Sequence, residues 1–234
     1  MDEGLAEVRA GRVRALFGLP EGSPPFPAVI VLHEAWGLNA DIQAISIRFR
    51  AAGYAVLVPD LYSLGFKPLC IASTIIDMVR GGRATAELIG ETRTWLADRP
   101  EVDGGRLGIV GFCMGGGFAL AAGVRHDFQA ASVNYGRVPA GERALEGICP
   151  VVASYGAKDR MLLPHARRLE ERLAALGVPH DVKVYPGAGH SFMNKSAPAW
   201  LARFGLSYHE EAAADAWERL MRFFEEHVKG APAT

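Results

Sequence analysis

The sequence is poor in cysteine, in net charge and in long apolar runs. Only three cysteines occur in 234 residues, Cys70, Cys113 and Cys149. An odd, sparse set is not a disulfide framework, none of the three sits in CxxC spacing, and no His/Cys cluster has the spacing of zinc ligands. A structural metal is therefore not expected. Lys and Arg total 25 against 26 Asp and Glu, for a formal net charge of -1. With no basic excess to neutralise phosphates, nucleic acid is not an expected partner. Apolar runs such as Ala28 to Leu32 have the length of a strand, far below the ~20 residues that a membrane span needs, so no membrane partner is expected either. The first residues carry Asp2, Glu3, Glu7, Arg9, Arg12 and Arg14 without an apolar h-region. No secretory leader is read there, and the expected location is cytoplasmic.

What is present is an ordinary globular mix. Hydrophobic residues make up 50% and charged residues 22%, which excludes a disordered chain. The length suits a single domain over residues 1–234, with a frayed tail at 230–234. Short β-rich runs alternate with amphipathic stretches. Val29 to Leu32, Ala55 to Val58, Arg106 to Val110, Ala130 to Asn134, Val151 to Tyr155 and Val182 to Tyr185 read as strands, and Val13 to Leu19 as an antiparallel edge strand. Helical spacing covers Asp41 to Ala52, Ala84 to Ala97, Pro164 to Leu176 and Glu210 to Val228. This order predicts an α/β fold: a mostly parallel sheet of about seven strands with helices on both faces. Tyr62 to Gly82 is the least regular stretch, and reads either as a lid or as a surface connection with a broken helix.

The residues with the clearest chemistry follow the third predicted strand. Gly111-Phe112-Cys113-Met114-Gly115 is a G-x-C-x-G sequence between a strand and a helix. A nucleophile on so sharp a turn sits in strained backbone geometry and needs glycine neighbours to avoid clashes. The turn lifts the side chain clear of the sheet and aims the first N–H groups of the helix at whatever is attacked. Glycine is 27 of 234 residues, so flanking by two glycines occurs by chance for about 1% of cysteines, and the sequence context adds to the case for a nucleophile. Cys70 and Cys149 lack the context and read as small apolar residues.

A thiol nucleophile needs a base, and the base needs an orienting acid. In α/β-hydrolases these follow in the order nucleophile, acid, histidine. Asp159 follows the strand Val151 to Tyr155, and His190 follows Val182 to Tyr185 in Pro186-Gly187-Ala188-Gly189-His190. Both fall at strand carboxyl ends, where open α/β sheets place their sites. Among the other histidines, His126, His165, His180, His209 and His227 lie on helical or charged stretches, whereas His33 directly follows a buried strand.

The chain resembles the dienelactone hydrolase family of α/β-hydrolases over about Val13 to Val228. The resemblance rests on Leu32-His33-Glu34-Ala35-Trp36-Gly37-Leu38-Asn39, Pro59-Asp60-Leu61-Tyr62, Gly108 to Gly116, Gly156-Ala157-Lys158-Asp159 and Gly187-Ala188-Gly189-His190-Ser191-Phe192. It implies an α/β-hydrolase fold and a Cys113, His190 and Asp159 triad. It further implies that Glu34 contacts the resting thiol, and that the N–H groups of Ala35 and Met114 form the oxyanion hole. Trp36, Tyr135, Phe192 and Tyr62 are pocket walls or core. Where the family places an arginine that grips a substrate carboxylate, this chain has Met193 and Asn194, so Asn194 is the expected substrate contact there. The segment of the family's second such arginine diverges, with Arg80 and Arg83 the nearest arginines.

The expected activity is cleavage of a small ester or lactone, of the carboxymethylenebutenolidase type, through an acyl-thioester on Cys113. No cofactor is expected, and the chain is expected to be a monomer or a small homo-oligomer. The alternatives are a broader esterase or thioesterase, and a thiol-sensing or binding protein without turnover. A glutamine amidotransferase would pair its late histidine with a glutamate two residues on; here Ser191 and Phe192 follow His190.

Overall fold

The structure is a computed structural model and describes residues 4–195 and 207–230. Eight strands form one sheet: β1 (Ala6–Ala10), β2 (Val13–Gly18), β3 (Phe26–Leu32), β4 (Ala55–Pro59), β5 (Val102–Phe112), β6 (Ala130–Asn134), β7 (Val151–Gly156) and β8 (His180–Tyr185). Their order is β1-β2-β4-β3-β5-β6-β7-β8, with β3 to β8 parallel and β1 and β2 antiparallel. The expected count of about seven becomes eight because β1 escapes the periodicity reading. Only Ala10 of its five residues is buried, so the strand has no continuous apolar face. The expected edge strand at Val13 is in fact second from the edge, with Ala15 opposite Pro59 of β4 on its inner side. By contrast β3 is buried along its whole length, which is why a run of apolar residues without alternation marks it.

Among the described residues, five α-helices lie between strands, α1 (Ala40–Ala51), α2 (Lys67–Val79), α3 (Arg83–Ala97), α4 (Met114–Arg125) and α5 (Leu163–Ala175), and a sixth, α6 (Glu210–Phe224), follows β8 and continues as a π-helical turn over Glu225–Lys229. Two glycines of β5 show how the layers lie. A Cβ on Gly108 would come 2.7 Å from the Phe224 ring, and one on Gly111 would strike the Gly115 carbonyl of α4. These positions are three apart in a strand and so face opposite sides of the sheet. On the first side Trp217 and Phe224 pack on Phe49 of α1, with ring centroids 4.9 and 6.0 Å apart. On the other, α4 packs against α3, and α2 touches both.

The stretch from Tyr62 to Gly82 holds the helix α2, which the sequence left open between a lid and a broken surface connection. Pro68 occupies its first turn, a position where the missing N–H costs nothing. Of the predicted frayed tail, only Gly230 falls among the described residues.

Candidate active site

The chain runs from β3 to β4 on one side, then crosses to β5 on the other side of β3. Such a reversal opens a crevice at the carboxyl ends of the two strands. Residues 33–35 leave β3 there, and Cys113 leaves β5. Cys113 has φ 53° and ψ -113°, a conformation that non-glycine residues rarely hold. Its N–H donates to the Asn134 carbonyl at 2.9 Å. The surrounding glycines are required by close backbone approach. A Cβ on Gly115 would lie 2.6 Å from the Leu32 carbonyl oxygen, and one on Gly116 would lie 2.9 Å from Gly136 Cα. The corner between β5 and α4 is thus wedged against the ends of β3 and β6.

Cys113, His190 and Asp159 come together as their order along the chain suggests. His190 Nε2 is 3.1 Å from Cys113 Sγ, and Nδ1 is 2.6 Å from Asp159 Oδ2. The other oxygen of Asp159 accepts N–H bonds from Met161 and Leu162 at 3.2 and 3.1 Å. One carboxylate therefore serves both the histidine and the backbone ahead of α5. Burial opposes ionisation of Asp159, but hydrogen bonding and charge from His190, followed by the two N–H groups, hold it below its ordinary value. Burial alone would lower the His190 imidazole; hydrogen bonds to Asp159 and Cys113 and their negative charges win, and the group is pushed up to about 10.

Glu34 is buried beside this line, at 2% exposure. Its Oε1 accepts from the Ser191 hydroxyl at 3.0 Å, while the thiol is paired with His190. The hydrogen bond of Glu34 is thus with Ser191, and that of the thiol is with His190. Ser191 has φ 56°, and Asp159 holds the imidazole with Nε2 toward sulfur. Burial raises the Glu34 carboxyl above its ordinary value, partly offset by the Asn194 amide, the Ser191 hydroxyl and the charge of His190. Asn194 is 2% exposed, and its amide forms no hydrogen bond within 3.5 Å. It lies near Glu34, whose charge it helps to stabilise.

Met114 is the first residue of α4, so its N–H has no acceptor within the helix. Ala35 sits in a turn closed by the Gly37 N–H to the Glu34 carbonyl at 3.0 Å. The buried Tyr62 hydroxyl joins the two, donating to the Ala35 carbonyl at 3.1 Å and lying 3.7 Å from Met114 Sδ. His33 supports the same turn. The Leu61 N–H donates to His33 Nε2 at 3.1 Å, so the proton belongs on Nδ1, which donates to the Glu34 carbonyl at 2.7 Å. Burial lowers the His33 pKa and favours this neutral form. Tyr135 and Phe192 are fully buried core residues that reach the site. The Tyr135 ring stands edge-on to His190 with centroids 5.2 Å apart and to Phe192 at 5.5 Å. Trp36 is instead 61% exposed. Cys149 is half-buried against the core, and its apolar surroundings push its thiol up to about 12.

Sequence reasoning missed Ser191 as a partner of Glu34, and it gave Tyr62 and His33 no contacts. The only available signal was their position inside motifs already quoted. Arg80 and Arg83 lie on a cavity whose lining includes none of Cys113, Asp159 and His190. Among the described residues, no helix is long and apolar enough to cross a membrane.

Comparison with known proteins gives the family of the chain. The family model described as "Dienelactone hydrolase family" matches residues 13–228. A protein of Yersinia pestis named "Putative carboxymethylenebutenolidase" is 30% identical over 222 residues, covering 87% of this chain and 79% of the relative. A protein of Saccharolobus solfataricus with the same name is 28% identical, covering 91% and 93%. Among solved structures, a dienelactone hydrolase-like promiscuous phosphotriesterase from metagenomic libraries superposes with a TM-score of 0.83 at 25% identity, covering 95% of this chain and 97% of the other.

Proposed function

Because this chain belongs to the dienelactone hydrolase family, we propose that it is a hydrolase that cleaves a small carboxylic ester or lactone, of the carboxymethylenebutenolidase type, through an acyl-thioester on Cys113. The observation that carries this reading is the continuous line from Asp159 through His190 to Cys113, at 2.6 and 3.1 Å, ending on a strained strand-to-helix turn.

In this mechanism His190 takes the thiol proton, and the sulfur attacks the substrate carbonyl carbon. The carbonyl oxygen becomes an oxyanion facing the N–H groups of Ala35 and Met114. Such preorganised donors contribute about 2.7–4 kcal/mol each to the transition state. The C–O bond then breaks, and the leaving oxygen takes the proton from His190. Water, deprotonated by His190, attacks the thioester carbonyl and expels the Cys113 sulfur, releasing the acid. Asp159 stays ionised throughout and stabilises the imidazolium. Tyr62 and His33 fix the Ala35 turn. Glu34 acts on the charge balance around His190 from its bond with Ser191. The nucleophile must remain a thiol between turnovers, which suits the reducing cytoplasm.

With a neutral amide at Asn194, turned toward Glu34, discrimination between anionic and neutral substrates should stay within about tenfold. The test is a panel of neutral and anionic esters, lactones, thioesters and a phosphotriester, with wild type beside Cys113→Ala. Turnover of esters or lactones that the variant loses supports the proposal. A hundredfold preference for anionic substrates would contradict the modest discrimination. No turnover of any member, with a thiol that still alkylates, would favour the sensing or binding alternative.

A further inference from the structure

The helix that follows the nucleophile also borders a second cavity, of about 390 Å3. Its walls come from the end of α2, the Gly81 and Gly82 corner before α3, the part of α4 beyond Gly116, and the segment after Tyr135. Four exposed arginines line it: Arg80, Arg83, Arg125 and Arg137. No acidic side chain lines it. Among the described residues none of the four arginines is ion-paired, and only Arg125 makes a side-chain hydrogen bond, to the Ala121 carbonyl of its own helix at 3.0 Å.

The chain as a whole has a net charge of -1, so this concentration of positive charge is not a by-product of a basic protein. Like charges around one concavity repel each other, and no carboxylate among the lining residues offsets them. A cleft lined by a single sign focuses the field and raises the local concentration of the opposite ion. Guanidinium groups present paired donors that match the oxygens of phosphate and carboxylate groups. Val79 and Ala140 are exposed and supply an apolar lining among the arginines. The volume falls within the roughly 300–1,000 Å3 typical of small-molecule sites.

We infer that this cavity binds a small phosphorylated molecule at a site separate from the catalytic centre. Two phosphoryl groups carry a charge of about -3 to -4, which four guanidinium groups balance. The phosphoryl oxygens meet the arginines, and the body of the ligand lies against Val79 and Ala140. The site is independent of the ester chemistry proposed for Cys113.

Calorimetric titration of the full chain at low salt, with inorganic pyrophosphate as probe and citrate and sulfate as comparators, tests this. The variants are the double substitution Arg125→Gln with Arg137→Gln, and Cys113→Ala. Both arginines are exposed, so the fold should survive their replacement, as unliganded melting temperatures will verify. The expected result is saturable binding of one pyrophosphate per chain, weakened at least tenfold in the double variant, unchanged in Cys113→Ala, and tighter than for citrate or sulfate. Four results overturn the inference: no saturable binding, binding that the double variant retains in full, citrate or sulfate binding as tightly as pyrophosphate, or loss of binding in Cys113→Ala.

Discussion

The corner between β5 and α4 and the helix α2 lie close together yet are built on opposite terms. In the corner, three glycines let backbone meet backbone, and Cys113 holds φ 53°. In α2, only Thr74 of thirteen residues is fully buried, while Leu69, Ile75, Ile76 and Val79 stay exposed by 40% or more. Close backbone approach leaves almost no freedom in residue choice, so the corner could be read directly from its sequence. A helix lying on the surface imposes little, and its apolar residues do not report which side is inward.

The largest effect that would break this contrast concerns Cys113 itself. Cys113→Ala should lower ester turnover at least about a thousandfold with a melting temperature close to wild type. Cys113→Gly should be more stable than Cys113→Ala by about 1 kcal/mol, because glycine accepts this backbone geometry without strain. Equal stability of the two variants in chemical denaturation would show that the corner stores no strain.

Steric substitutions in the two regions sharpen the comparison next. Gly115→Ala forces a Cβ to within 2.6 Å of the Leu32 carbonyl, and should cost about 3 kcal/mol or more in urea unfolding. Ile76→Ser, at a position 51% exposed, should stay within about 0.5 kcal/mol. A tolerated Gly115→Ala would mean that the packing of the corner is looser than described.

Much of the fold and of the site was legible for the same reason. The buried strands β3 to β7, the G-x-C-x-G turn, Asp159 and His190 are each fixed by burial or by chemistry that few residue types satisfy. Strand β1 was not legible, since one buried residue in five makes no pattern. Helix α2 was not, for want of a buried stripe. The partner of Glu34 was not, because the bond joins residues 157 positions apart whose meeting only the folded chain shows.

Protonation separates the regions more gently. His190 is raised from its ordinary 6.5 to about 10, so the stability it contributes is fully present below about pH 6.5 and is lost as the pH climbs toward 10. Asp159 is lowered from 3.8, so its contribution holds above that value and disappears as the pH falls through the folded one. The stability difference between wild type and Asp159→Asn should therefore be greatest between about pH 4 and 6.5 and shrink toward pH 10. Ile76→Ser should show no such profile. A flat difference for Asp159→Asn would remove the pairing with His190 as the source of the shifts.

The smallest expected effect is at Glu34. Its carboxyl is raised from 4.5, so wild type loses stability as the pH rises from that value toward the folded one. Glu34→Gln lacks this loss and should gain on wild type between pH 4 and 8, as read by thermal unfolding at both values. Alkylation of Cys113 should change only a few-fold in this variant, since removing the charge favours the thiolate while weakening the imidazolium beside it. A variant that instead loses stability with rising pH would reverse the sign assigned to this burial.

The most direct test of the central claim is mass spectrometry of acid-quenched enzyme during turnover of a p-nitrophenyl ester. The account predicts a mass increase equal to the acyl group, released by hydroxylamine and mapped to the peptide carrying Cys113. It should be absent in Cys113→Ala and longer-lived when deacylation is slowed by His190→Ala. Acylation at another residue, or undiminished turnover by Cys113→Ala, would contradict it.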